Sequence, residues 1–113
     1  MLPKQYRLTK DRDFKFIFRK GRNCFKGEFG IKFLKNNLDV SRFGFVVSNK
    51  IAKKANKRNL IKRRLREIIR KNLSNIEVGL DVMIMARLEI KKLNFFELKE
   101  KLERTLWQIR ILN

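Results

Sequence analysis

The stretch Arg58-Asn59-Leu60-Ile61-Lys62-Arg63-Arg64-Leu65-Arg66-Glu67-Ile68-Ile69-Arg70-Lys71 carries the reading of the whole chain. Its apolar members Ile61, Leu65, Ile68 and Ile69 recur at helical spacing, so one face of a helix is buried. The helix is expected from about Asn56 to Asn72. At about 100° per residue, the remaining positions fall into two groups. Arg58, Asn59, Lys62, Arg63, Arg66 and Arg70 are expected in a band beside the buried arc. Leu60, Arg64, Glu67 and Lys71 are expected furthest from it. A band flanking a buried stripe is held rigidly next to the body of the domain, where it lines a groove.

Charge concentrates around this helix. Residues 50–71 hold Lys50, Lys53, Lys54, Lys57, Arg58, Lys62, Arg63, Arg64, Arg66, Arg70 and Lys71 against Glu67 alone, a net +10 out of +19 for the chain. Ordinary solvated faces mix signs, as Glu97, Glu100 and Glu103 do with Lys99, Lys101 and Arg104 near the C-terminus. A single-signed surface repels itself and calls for a polyanion, and in a folded domain nucleic acid is the expected one. The guanidinium fork suits phosphate because it is planar and bidentate. Asn59 both donates and accepts, which suits a base edge or a sugar hydroxyl.

Working outward, Phe43 to Ser48 reads as a strand before the helix, separated from it by a basic loop of about eight residues. Leu80 to Ala86 is short and apolar, as a strand buried on both faces should be. Residues 23–35 are extended, with Phe29, Ile31 and Phe33 alternating with Glu28, Gly30 and Lys32. Asn36-Asn37 marks a turn. A first helix spans Thr9 to Lys20, with Thr9 as its cap, Phe14, Ile17 and Phe18 on one face and Gly21 at its end. The last helix starts at Asn94, with Glu97 completing a capping box, and its apolar stripe is Phe95, Leu98, Leu102, Leu106 and Ile109. Phe16 and Trp107 lie off the stripes of their helices and are expected to be partly exposed. The order α-β-β-β-α-β-α describes a single α+β domain over residues 1–113, with helices packed on one small sheet.

Composition narrows the chemistry. The chain of 113 residues has no His, which removes imidazole catalysis and His metal ligation. Cys24 is the single cysteine, so neither an intrachain disulfide nor a Cys-rich zinc site can form, and it reads as a small apolar side chain in or near a strand. Carboxylates do not cluster, so the chain has no evident means of hydrolysing a phosphodiester. No apolar run reaches the roughly 20 residues of a membrane span, and the N-terminus lacks the apolar stretch of a secretory signal. A cytoplasmic location is the default.

With these residues in view, the sequence resembles the bacterial ribonuclease P protein component. The helix segment Arg58-Asn59-Leu60-Ile61-Lys62-Arg63-Arg64-Leu65-Arg66-Glu67 is similar to that family's Arg-Asn-Arg signature and the basic turns after it. Leu8-Thr9-Lys10-Asp11-Arg12-Asp13-Phe14, with Phe18 and Gly21, resembles its first helix. Arg42-Phe43-Gly44-Phe45-Val46-Val47-Ser48-Asn49-Lys50 resembles its strand and basic turn, and Leu80 to Arg87 its fourth strand. Three positions depart from the pattern. Leu60 stands in place of the third signature Arg, Asn49 replaces the first Lys of the turn, and Lys32 stands where relatives often carry an aromatic.

The resemblance implies a fold like the second domain of ribosomal protein S5, with a left-handed βαβ crossover around the basic helix, against the general right-handed rule. It implies a catalytic RNA as partner and precursor tRNA as substrate, with no membrane and no obligate protein partner. The holoenzyme would remove the 5′ leader, and Mg2+ held mainly by RNA would carry the chemistry. Lys50, Lys53, Lys54, Arg58, Asn59, Lys62, Arg63, Arg66 and Arg70 would bind RNA. Phe14, Phe18, Lys32 and Ser48 would border a leader cleft between the sheet and the first helix. A ribosomal or other structural RNA-binding protein is the alternative, though such proteins more often carry a disordered basic tail, whereas here the pattern runs to the C-terminus. A duplex-DNA reader fits less well, because the long basic loop before Arg58 does not resemble a tight helix-turn-helix turn.

Overall fold

The computed structural model describes Leu2 to Leu112, apart from the side chains of residues 25 and 26. Its elements are α1 (Asp11–Lys20), β1 (Arg22–Lys26), β2 (Phe29–Lys35), β3 (Arg42–Val46), α2 (Ala55–Asn72), β4 (Leu80–Ala86) and α3 (Phe95–Gln108). This is the expected order. The strands form one sheet in the order β1-β2-β4-β3. The β1–β2 and β2–β4 pairs are antiparallel, and β3 runs parallel to β4. A parallel pair needs a crossover, and α2 supplies it. β4 sits between β2 and β3 and is packed on both faces, Val82 and Ile84 in one cluster and Met83 in another, so all three are buried.

Strand alternation divides the sheet into two faces. Phe29, Ile31, Phe43, Phe45, Val82 and Ile84 share one face with Leu65, Ile68 and Ile69 of α2 and Leu98, Leu102 and Leu106 of α3 in the main core. Each such side chain, fully buried, contributes roughly 1.5–3 kcal/mol. On the opposite face a smaller cluster joins Met83 to Leu8 and Ile17, with Phe14, Leu34 and Met85 packed around it. There α1 lies across the register row Lys32–Met83–Gly44.

The ends of α1 differ from the capping expected. Thr9 does not cap it; Lys10 holds the N-cap position in extended conformation, with no side-chain cap bond. The cause lies upstream. Arg7 pairs with Phe43 at the β3 edge, and the Leu8 amide donates to the Phe43 carbonyl at 2.8 Å. The chain therefore stays extended and turns helical only at Asp11. Gly21 ends the helix in an extended rather than left-handed conformation. A Cβ there would come 2.6 Å from the Ile17 carbonyl oxygen and 3.3 Å from that of Phe33, so only glycine allows this close approach.

Other expectations hold. Asn37 adopts the left-handed conformation in the Asn36-Asn37 turn (φ 62°). Asn94 accepts from the Glu97 amide at 2.8 Å while Glu97 accepts from the Asn94 amide at 3.1 Å, closing the capping box. Phe16 and Trp107 are exposed. The strand before the basic loop ends at Val46 rather than Ser48.

Candidate nucleic-acid interface

Along β3 the side chains of Phe43 and Phe45 enter the main core, so Arg42, Gly44 and Val46 face α1. Gly44 receives the ring of Phe14: a Cβ at this position would lie 2.3 Å from Phe14 Cε1. One step further along the strands, the register row Val46–Met85–Gly30 lies beside α1 rather than under it. Val46 is exposed and Met85 half-buried. The exposed Val46 side chain, with the exposed Phe18 and the half-buried Phe14 of α1, marks where the expected cleft between the sheet and the first helix would open.

The first turn of α1 is held to the sheet by charge. Asp81, almost fully buried, accepts from Arg42 Nε at 2.9 Å and from Arg42 Nη2 at 2.7 Å, and its Oδ1 also accepts from Asn36 Nδ2 at 2.9 Å. Asp13 of α1 lies 3.9 Å from the same guanidinium. These bonds raise the pKa of Arg42 further above its ordinary value, mainly through the hydrogen bond to Asp81. A buried carboxylate needs such saturation, and with Asp13 it fixes α1 against the sheet on the side opposite the open row.

The basic helix comes to the same place from the other side. A concavity of about 240 Å³ is lined by Arg7, Leu8, Thr9, Phe14, Phe43, Gly44, Phe45, Lys62 and Arg66. That is smaller than the roughly 300–1,000 Å³ of a ligand-enclosing pocket, so it suits one ring-sized group at the end of a longer groove. Two of the expected RNA-binding residues thus stand beside one of the expected aromatics.

The division of α2 into faces needs correction. Leu65, Ile68 and Ile69 are fully buried, and Ile61 and Asn72 lie beside them half-buried. At about 100° per residue, the direction opposite the centre of this arc falls on Arg63 and Arg70. Both are exposed on the outer side of the helix. Arg58, Lys62 and Arg66, half-buried, form the true flank on the β3 side. Arg64, expected outermost, is half-buried on the other flank. It lines a second groove with Arg63, Arg66, Glu67 and Phe95 of α3. The spacing of Ile61, Leu65, Ile68 and Ile69 itself puts Arg64 only about 85° from the centre of the arc; Asn72 falls within that arc, its amide drawn inward to the Ile68 carbonyl at 2.8 Å and to Glu103 of α3 at 2.7 Å.

Individual cations are engaged in ways their sequence positions do not disclose. Arg58 donates from Nη1 to the carbonyls of Ala52 at 3.0 Å and Lys53 at 2.7 Å, clasping the basic loop to the start of α2. Ile51, buried in the main core, anchors the same loop from below. Ser48, Lys50, Lys53, Lys54 and Asn59 are exposed around it. Arg70 makes a bidentate pair with Glu67, which holds the Glu67 carboxyl down at about 2, chiefly through that hydrogen bond. Lys32 is buried under the end of α1, its Nζ donating to the Phe18 carbonyl at 2.8 Å.

Arg7 lines the concavity, and Val46 and Met85 are register partners beside α1, without any of the three having been singled out in the sequence. Alternation along the strands marks Val46 and Met85 as facing away from the core, whereas nothing local marks Arg7.

The fold and this surface define a small α+β domain that presents a basic helix and a cation-rimmed, aromatic-walled cleft. The family model described as ribonuclease P matches residues 2–110. Curated relatives named ribonuclease P protein component include one from Thermotoga maritima, 39% identical over 107 residues, with 91% of each chain covered. Another, from Pseudanabaena, is 36% identical, with 100% of this chain and 98% of the relative covered. Among solved structures, the Staphylococcus aureus RNase P protein superposes with a TM-score of 0.88 at 31% identity, covering 96% of this chain and 98% of that one. The Thermotoga maritima RNase P protein gives 0.83 at 37% identity, covering 90% and 96%. This chain belongs to the bacterial ribonuclease P protein family.

Proposed function

We propose that this chain is the protein subunit of a ribonuclease P holoenzyme, in which it binds both the catalytic RNA and the 5′ leader of precursor tRNA. The observation that carries the reading is the meeting of Phe14 of α1 with Lys62 and Arg66 of α2 around one concavity. Single-stranded RNA is gripped by rings that stack on bases together with cations that neutralise the phosphates between them. A cleft floored by Val46 and Met85, walled by Phe14 and Phe18 and rimmed by Lys62 and Arg66 offers both. The exposed basic loop, Lys50, Lys53 and Lys54, together with the outer face of α2, Asn59, Arg63 and Arg70, serves the catalytic RNA.

In this division of labour the chain binds and orients. Among the described residues no three carboxylates or thiols come together as a metal site. On this reading the hydrolytic metal is held by the RNA. The protein contributes fixed cations that neutralise backbone phosphates and a surface that holds the leader in register with the cleavage site.

Reconstitution tests this directly. Protein alone should leave precursor tRNA intact, RNA alone should cleave it only in high magnesium, and the mixture should cleave at lower magnesium. Robust cleavage by RNA-free protein overturns the reading.

A further inference from the structure

Lys32 is unusual among the cations of this chain. It is only 8% exposed, and among the described residues no carboxylate pairs with it. Its ammonium has two described partners, and both belong to Phe18: the carbonyl oxygen at 2.8 Å and the ring, whose centroid lies 4.2 Å away. The ring itself is 62% exposed. A large apolar side chain at the cleft wall is therefore held outward by a buried cation on one of its faces, and its other face is open to solvent.

That arrangement has an electronic consequence. The faces of a phenyl ring carry the negative lobes of its quadrupole, and an ammonium over one face is attracted to it. The same cation draws π density towards itself, so the opposite face becomes electron-poor. An electron-poor face stacks best on an electron-rich, extended ring, and purines exceed pyrimidines in both respects. The carbonyl bond adds position: it ties the lysine to the backbone of the residue whose ring it supports, so ring and cation move as one.

We propose that Lys32 is a positioning and specificity-determining residue of the cleft, setting the Phe18 ring as a platform that favours a purine of the bound strand. The proposal rests on the leader reading above. The chain thereby places a cation behind an aromatic and leaves it one polarised stacking face.

The test uses the complex reconstituted with its catalytic RNA and three ligands: mature tRNA, precursor tRNA with an all-adenosine leader, and precursor tRNA with an all-uridine leader. Lys32→Met keeps the length of the side chain without the charge. Lys32→Gln keeps a donor for the Phe18 carbonyl without the charge. The expected result is that the adenosine-to-uridine affinity ratio falls by about two- to five-fold in both variants, the size of a partly exposed cation–π contact. The leader's own stacking cancels in that comparison. A ratio unchanged in both variants, with both leaders still bound better than mature tRNA, overturns the role of Lys32 and leaves the cleft standing. Variants that melt lower and lose both leaders by the same factor also overturn it, making Lys32 a structural residue. If neither leader improves binding over mature tRNA in the unaltered complex, the cleft reading falls first and the proposal with it.

Discussion

Arg58 Nη1 donates to the carbonyl oxygen of Lys53 at 2.7 Å, so a residue of the family's signature holds the loop that leads into its own helix. The companion bond to the Ala52 carbonyl, at 3.0 Å, completes the clasp. The basic loop is thereby presented in one shape, with Lys50, Lys53 and Lys54 outward, and any polyanion that binds it meets a surface ordered beforehand.

Arg58→Ala should therefore act on order before it acts on charge. The expected stability loss is on the order of 1 kcal/mol, because one of the two bonds is solvent-exposed. Hydrogen exchange should speed up at the amides of residues 51–57, while those of Leu65 to Ile69 keep their protection. Weakened RNA binding with unchanged exchange in the loop would make Arg58 a direct contact and not a clasp.

Gly44 is the seat of Phe14. In Gly44→Ala the new methyl group would lie 2.3–2.4 Å from two ring atoms of Phe14, a separation no side chain tolerates. The ring or the whole of α1 must move, at a cost of roughly 1–3 kcal/mol, as overpacking typically does. Adding Phe14→Leu should restore part of the lost melting temperature. Additive losses in the double variant would mean the two sites do not touch.

The Glu67–Arg70 pair gives a pH-dependent reporter of RNA contact. The Glu67 carboxyl is held at about 2 against an ordinary value of 4.5. A depressed carboxylate adds stability above its ordinary value and loses that addition as pH falls through its folded value. At neutral pH the pair is therefore intact, and being fully exposed it adds little to stability. If RNA phosphate takes over Arg70, Glu67 loses its partner and gains anionic neighbours, and its midpoint must rise. Titration of the Glu67 side-chain carboxyl by NMR, with and without bound RNA, should show that rise. An unmoved midpoint removes Arg70 from the interface.

Much of this was legible in the chain. Period-two alternation in Phe29–Phe33 and the short segment Leu80–Ala86, apolar but for Asp81, placed the strands, and the spacing of Ile61, Leu65, Ile68 and Ile69 placed the basic helix. The capping box at Asn94 could be read because its two partners are three residues apart. What escaped depended on distant partners. Thr9 has the chemistry of a cap, but pairing at Phe43 holds its neighbourhood extended. Arg64 was expected outermost although it sits only about 85° from the centre of the buried arc, and it lies on a flank against α3. Lys32 read as a lost aromatic, because the ring it supports is fourteen residues away in sequence. Arg58 read as a free fork, because backbone carbonyls leave no mark in a sequence.

The central claim is that the α1–sheet cleft holds the leader, and the most direct measurement compares affinities for precursor and mature tRNA in the reconstituted complex before and after Phe18→Ala. The ring is largely exposed, so beyond its contact with Lys32 its removal should cost little stability, about 1 kcal/mol in all. Stacking on a base contributes roughly 1–3 kcal/mol. The account predicts that Phe18→Ala weakens binding of a precursor with a leader of several nucleotides by about five-fold or more, while mature tRNA binds as before and the melting temperature falls only modestly. Equal loss for both tRNAs, or no loss for either, would contradict it.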